Sequence, residues 1–380
     1  MRSIRLNKKH LSLSRRDDES RRLNAVCPYY TMFPLEFPLR QLIRAQPGEW
    51  VLDPFCGRGT TSFAARLLRL PSIGIDSNPV AVAIAASKFV NAKEDAVIRL
   101  GKQLLAKKRQ PQDVPHSKFW SRCYHPSTLE EICKIREELL EDCATEERIA
   151  LRAIMLGILH GPRQKVVPSY LSNQMPRTYA TKPNPAITYW SKHKLYPTRI
   201  NVLEVIARRA KYLLAKLPPK VKGQVIQADS KLIPLQLVSE RFGWVVTSPP
   251  YLGMRTYVPD QWLRNWFLGG PATVDYAQSE QLGHHAEDEF VNGLSKVWRR
   301  ISPMCLPGAR LVVRFGALPS IQTEPSALLK KSLDQADCGW RVRTIKRAGL
   351  ASQGKRQADQ FGHSTGAAVE EVDLYAVLEG

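Results

Sequence analysis

The sequence predicts an α/β protein: one doubly wound sheet of seven strands with a helical, loop-rich basic insertion. Three observations carry that expectation. Short apolar runs alternate with helix-length segments within the forty residues after Trp50, the pattern of a parallel sheet with right-handed crossovers. The alternation stops over residues 91–222 and then resumes. Lys and Arg number 56 against 35 Asp and Glu, and most of that excess falls within the interruption.

Residues 1–28 hold eight Lys or Arg and three Asp or Glu without apolar periodicity, and read as a flexible basic arm. From Tyr29 the chain turns apolar, and Met32-Phe33-Pro34 leads into a short helix reaching Arg44. Pro47-Gly48 turns it into a strand at Trp50–Leu52. A helix follows over Thr61–Leu70, a strand over Ile73–Ile75 and a helix over Pro79–Phe89, which makes 29–90 the first half of the sheet domain. In the interruption, Ser127-Thr128-Leu129-Glu130 has the form of a capping box opening a helix to Cys143. Glu146–His160 is a second helix, stopped by Gly161-Pro162, and Thr198–Leu217 a third, stopped by Pro218-Pro219. The second half, 223–380, supplies strands at Gln224–Gln227, Trp244–Thr247, Ala309–Phe315, Trp340–Ile345 and Val372–Leu378.

A hydrophobic content of 43% excludes disorder throughout. Seven cysteines, an odd number without a Cys-x-x-Cys pair, argue against a disulfide framework and a zinc cluster. The first residues are charged and lack the apolar core of a signal peptide, and no apolar run approaches the roughly 18 residues of a membrane span. A soluble cytoplasmic protein with no membrane partner is expected. The net charge of +21 favours a polyanion, nucleic acid before membrane.

Two segments look chemical. Asp53-Pro54-Phe55-Cys56-Gly57-Arg58-Gly59-Thr60-Thr61 sits at the carboxyl end of the first strand, where open α/β sheets bind ligands. Gly57 and Gly59 let backbone approach a ligand, and the helix start presents free N–H groups. Ser62 follows where a dinucleotide fingerprint needs a third glycine, which argues against a pyrophosphate site. Asp76, at the end of the second strand, is placed to accept from ribose hydroxyls or to cap the next helix. Asp229 holds the equivalent edge after the third strand and could accept from an adenine amine.

The other segment is Thr247-Ser248-Pro249-Pro250-Tyr251. A strand running into two prolines has an extended backbone with two N–H groups missing, so its carbonyls remain as acceptors. An exocyclic base amine is a poor nucleophile because its lone pair is delocalised. Accepting both amine hydrogens, on the Ser248 hydroxyl and the Pro249 carbonyl, localises that pair. Tyr251 offers a flat face to a base turned out of its duplex.

Together these segments resemble S-adenosylmethionine-dependent DNA amino-methyltransferases, whose cofactor loop reads Asp-Pro-Phe-x-Gly-x-Gly-Thr-Thr. The resemblance spans residues 29–90 and 224–320. It implies a Rossmann-like methyltransferase sheet and S-adenosylmethionine as cofactor. It also implies that the loop from Asp53 through Thr60 and the Phe33-Pro34 segment surround the methionine portion, with Asp76 at the ribose and Asp229 near the adenine. Ser-Pro-Pro-Tyr is associated mostly with cytosine N4, and Asn- or Asp-Pro-Pro-Tyr mostly with adenine N6. Cytosine C5 chemistry requires a Pro-Cys nucleophile, which this sequence lacks. The expectation is thus a bacterial, nucleoid-associated DNA modification enzyme, with a cognate restriction nuclease as partner. Alternatives are adenine N6 methylation, a tRNA base methyltransferase sharing both motifs, and a DNA-binding protein without catalysis on the same fold.

Residues 152–222 hold fourteen Lys or Arg and one acidic residue, Glu204. Arg163, Lys165, Arg177, Lys182, Lys192, Lys194 and Arg199 interleave with Tyr170, Tyr179, Tyr189, Trp190 and Tyr196, and are expected to contact double-stranded DNA and read the target. Arg255 and Tyr257 precede a helix that buries Trp262 and Trp266, and are expected at the pocket or on DNA. A second basic element, Lys346-Arg347 through Lys355-Arg356, is expected in the loop between the last two strands. His284-His285 with Glu287-Asp288 reads as a solvated stretch, not a metal site, since adjacent helical side chains diverge by about 100°.

Overall fold

The computed structural model describes residues 18–29, 33–162, 167–173, 175, 181–233, 239–252, 258–274, 287–316, 324–350 and 370–379. Its strands are β1 (Trp50–Asp53), β2 (Ser72–Asp76), β3 (Gly223–Gln227), β4 (Phe242–Thr247), β5 (Cys305–Gly316), β6 (Trp340–Leu350) and β7 (Glu370–Leu378). They form one seven-stranded sheet in the order β3-β2-β1-β4-β5-β7-β6. The first five are parallel, and β7 runs antiparallel to both β5 and β6. This is a doubly wound α/β sheet with a mixed edge. All seven expected strands are present, with β6 and β7 forming an antiparallel pair at the far edge.

The strands read as Val, Ile and Leu runs because both faces are covered. Alternation assigns the sides: Val51, Trp244, Val246 and Val312 face one core, while Leu52, Val245, Leu311 and Val313 face the other. The second core is closed by α11 (Glu287–Ile301) and α12 (Pro325–Ala336). Everything else lies on the first: α1 (Glu36–Leu42), α2 (Thr60–Leu67), α3 (Pro79–Ala86), α4 (Glu94–Ala106), α5 (Lys118–Cys123), α6 (Pro126–Glu141), α7 (Glu146–Ile158), α8 (Pro183–Lys192), α9 (Val202–Leu214) and α10 (Val258–Phe267).

Four expectations are corrected. The arm is packed where it is described: residues 19–25 form a 3-10 helix, and Leu23, Val26 and Cys27 are buried. Lys88 Nζ donates to the Leu23 carbonyl at 2.7 Å, which ties the segment down from inside. The cap of α6 is His125, whose ring accepts from the Ser127 N–H, so Ser127 lies inside the helix. Lys346 and Arg347 belong to β6, which runs on to Leu350. The insertion also carries α4, α5 and α8 beyond the three helices expected. For α4, the acidic first turn Glu94-Asp95 and the buried Val97, Gly101 and Leu104 were the available signals.

The excursion from β2 to β3 is gathered at its base by Arg66 of α2, which is fully buried. Its guanidinium donates to the carbonyls of Lys88 and Val90 at 2.8 and 2.6 Å and of Pro218 at 2.7 Å, and Nε reaches Pro219 at 3.2 Å. Burial draws its pKa down to about 10, so it remains a cation at neutral pH. Arg66→Met should destabilise the protein by about 3 kcal/mol or more, since each buried carbonyl left unpaired costs about 1–3 kcal/mol. Urea unfolding monitored by circular dichroism measures this, and a loss below about 1 kcal/mol would mean that water replaces the clamp.

Candidate active site

Parallel strands end on a common edge, and the order places a switch point between β1 and β4: the chain builds outward to β2 and β3, then returns to the other side of β1. Asp53 ends β1 and Thr247 ends β4. The Thr247 hydroxyl donates to Asp53 Oδ1 at 2.6 Å, and the Thr61 hydroxyl of α2 donates to the Val246 carbonyl at 3.2 Å. The two sequence motifs are therefore joined by direct hydrogen bonds.

The loop between β1 and α2 is held by its neighbours. The Cys56 N–H donates to the Ile75 carbonyl and the Gly57 N–H to Asp76 Oδ2, each at 2.9 Å. Gly57 and Gly59 have φ of +50° and +81°. A Cβ at Gly59 would lie 3.0 Å from Ala85 and Lys88, so this position needs glycine for space as well as for conformation. Asp76 accepts from Asn78 N–H through its other oxygen, and it is Asn78, not Asp76, that caps α3. Ser230, just past β3, donates its hydroxyl to the Pro54 carbonyl. Tyr29 is buried above the loop, its hydroxyl accepting from Asn78 Nδ2 at 3.2 Å. Sequence reasoning missed Tyr29, Thr61, Ser230 and Thr247 as supports, because their partners are remote in the chain or lie in unremarkable residues.

Residues 9–87, which contain this loop, match the family model described as DNA methylase, of the N6/N4 kind. The match covers about a fifth of the chain, and over that part the chain is similar to these methylases. No curated protein matches the chain. Among solved structures, TrmN from Thermus thermophilus aligns at 11% identity over 95% of this chain and 53% of its own, with a TM-score of 0.36. The chain thus spans about half of TrmN. The rRNA methyltransferase aviRa from Streptomyces viridochromogenes aligns at 13% identity over 94% of this chain and 93% of its own, TM-score 0.36. The magnesium protoporphyrin IX methyltransferase ChlM from Synechocystis, whose structure holds S-adenosylmethionine, aligns at 9% over 94% and 90%, TM-score 0.34.

S-adenosylmethionine is the cofactor that the match to DNA methylases implies, and the residues present fit it. Asp53 is 1% exposed and its Oδ2 has no partner among the described residues, an acceptor left open at the loop. A Cβ on Gly57 would find a neighbour only at 3.9 Å, so backbone is accessible there. Asp76 is half-buried, and each of its oxygens accepts one backbone N–H, which leaves lone pairs for hydroxyls. Other expected residues stand differently. Phe33 packs edge-on against Phe37 of α1 at 5.3 Å, and Pro34 is exposed. Asp229 is half-exposed, with Oδ1 accepting from Lys231 N–H and Oδ2 3.2 Å from Lys231 Nζ.

In the second sequence motif, Ser248 and Pro250 are half-buried and Pro249 is buried. Neither the Ser248 hydroxyl nor the Pro249 carbonyl has a hydrogen-bond partner among the described residues. Tyr251 is half-buried, its hydroxyl 2.6 Å from Glu371 Oε1. Trp262 and Trp266 are buried as expected. Of the cationic candidates, Lys182, Lys192, Lys194 and Arg199 are exposed on α8 and the segment flanking it. Arg163, Lys165, Arg177, Arg255, Tyr257, Tyr179, His284 and His285 lie outside the described residues. Arg122 stacks over the exposed Tyr196 ring at 4.5 Å.

Burial pushes the Asp53 carboxyl up to about 6, against the hydrogen bonds it accepts, that from Thr247 foremost. An acid whose folded value exceeds its unfolded value of about 4 holds its proton more tightly when folded. Stability carried by the protonated form is therefore complete below about pH 4 and lost as the pH rises through about 6. Asp53→Asn should gain stability relative to wild type as pH rises from about 4 to about 7, measured by urea midpoints without cofactor. A difference independent of pH would assign Asp53 an ordinary ionisation.

Proposed function

We propose that the protein transfers the methyl group of S-adenosylmethionine to the exocyclic N4 amine of cytosine at a specific sequence in double-stranded DNA, as the modification partner of a restriction nuclease in the bacterial nucleoid. The observation that carries this reading is the junction of β1 and β4, where Thr247 binds Asp53 and sets Ser248-Pro249-Pro250-Tyr251 beside the cofactor loop. S-adenosylmethionine supplies an electrophilic sulfonium methyl. The chain supplies position. Gly57, Gly59 and the open Asp53 oxygen receive the methionine end, and Asp76 the ribose. The Ser248 hydroxyl and Pro249 carbonyl accept the two amine hydrogens, which concentrates the nitrogen lone pair along the line to the methyl carbon. Tyr251 presents a ring face to the extruded base. Serine at the head of the motif supports cytosine over adenine, through the resemblance described above.

Affinity for DNA comes from the basic insertion, and α10 couples that surface to the pocket. The Trp262 indole N–H donates to the Thr181 carbonyl at 2.7 Å beside Lys182, and Trp262 packs against Phe119 at 5.0 Å. Trp120 of α5 packs on Trp266 at 4.4 Å and donates to the Ala272 carbonyl.

Incubation with methyl-labelled cofactor, unmodified bacterial DNA and, in parallel, bulk tRNA, followed by nucleoside mass spectrometry, should yield labelled 4-methyl-deoxycytidine. Label in 6-methyl-deoxyadenosine would correct the base, and label confined to tRNA would overturn the DNA assignment. Ser248→Ala should lower turnover about 100-fold while DNA affinity stays within about twofold, the signature of a group acting in the transition state. Replacing Lys182, Lys192, Lys194 and Arg199 together by Ala should reduce the slope of log K against log salt by about 3–4, roughly one per lost phosphate contact. An unchanged slope would place the DNA on another face.

A further inference from the structure

We propose that Glu371 is the positioning residue of the base pocket, holding the Tyr251 ring in the orientation that receives the extruded base. The inference rests on the reading of Ser248-Pro249-Pro250-Tyr251 as the amine-binding motif. The two prolines stiffen the backbone up to Pro250, but the Tyr251 ring still has two side-chain torsions. The structure fixes both. The phenol hydroxyl donates to Glu371 Oε1 at 2.6 Å, the length of a hydrogen bond to a charged acceptor. The ring meets Phe315 of β5 at 5.6 Å and 80°, an edge-to-face contact that braces it against the sheet.

Glu371 is itself held in place. It lies opposite Gly316 in the β5–β7 register, and two residues inward on the same pair of strands Arg314 lies opposite Asp373. Arg314 grips Asp373 with two hydrogen bonds of 2.8 Å, and its guanidinium carbon lies 4.0 Å from the centre of the Phe37 ring of α1. The Arg314 charge also attracts Glu371. The place of Glu371 on a paired strand lets its carboxylate set the ring. A carboxylate on a loop would drift with the loop.

The test uses the full chain with methyl-labelled cofactor and unmodified bacterial genomic DNA. Glu371→Ala should lower kcat by about 10- to 100-fold, the range a misplaced reacting group produces, with KM for cofactor and DNA within about twofold. Glu371→Gln keeps an acceptor oxygen and should return kcat to within about threefold of wild type. Tyr251→Phe removes the same bond from the other side, so it should match Glu371→Ala, and combining the two should cost nothing further. Unchanged turnover in Glu371→Ala, or losses that add in the double variant, would overturn the proposal. If Glu371→Ala does not fold, Tyr251→Phe decides alone: full activity there rejects the positioning role, and reduced kcat at constant KM supports it. Tyr251→Ala with full activity would instead reject the motif reading on which the inference rests.

Discussion

The hydrogen bond from Thr247 to Asp53 is the constraint on which the rest of the site depends. It joins the ends of two parallel strands that are neighbours in the sheet and 194 residues apart in sequence. Asp53 is buried by the loop that follows it, so its carboxylate needs donors, and Thr247 is the side chain that β4 brings to it. That choice places the next residue, Ser248, at the lip of the same crevice. One oxygen of Asp53 accepts from Thr247 and the Phe55 N–H, and the other is buried without a partner among the described residues. A site built this way is preorganised before either substrate arrives, because the polar groups that define it are fixed by the sheet and not by the ligands.

The sheet is loaded unequally. Two helices cover one face, and ten cover the other among the described residues. The heavy face is where the long excursion between β2 and β3 has been added, and its aromatic residues make it continuous with α10, which follows the reaction motif. The indoles of Trp120 and Trp262 each spend their N–H on a backbone carbonyl in a different segment. The segment entering α8, α5 and α10 are thus held together through buried tryptophans.

Much of this was legible in the sequence because strands buried on both faces announce themselves as short apolar runs, and because the loop at Asp53 and the paired prolines have few structural uses. The core roles of Trp262 and Trp266 followed from helical spacing. What stayed hidden depends on pairing across the sheet. Glu371 looks like any acidic residue in an acidic stretch until β7 is placed beside β5, and Arg66 looks like the polar side of an amphipathic helix until Pro218 and Lys88 are seen to converge on it. The packing of residues 18–28 was hidden for a related reason: its anchor is a buried lysine just past α3, Lys88, and the segment's own charge suggested solvent. Asp76 shows the opposite case. Cap or ligand holder were both open from the sequence, and the Asn78 cap leaves it as a brace for the Gly57 loop.

The position of β7 has a consequence for how the molecule is made. It follows β6 in the chain but lies between β5 and β6 in the sheet. A nascent chain that has emerged only through residue 350 therefore carries two strands that belong to one sheet and have no way to meet. The apolar edge of β5 stays unsatisfied, and β6 has nothing to pair with. Such an intermediate invites pairing with foreign strands, so the interval between synthesis of β6 and β7 is the period in which a chaperone matters most. It also delays completion: the strand that carries Glu371 is the one that seals the sheet, so the loop at Asp53 can be in place long before Tyr251 meets Glu371.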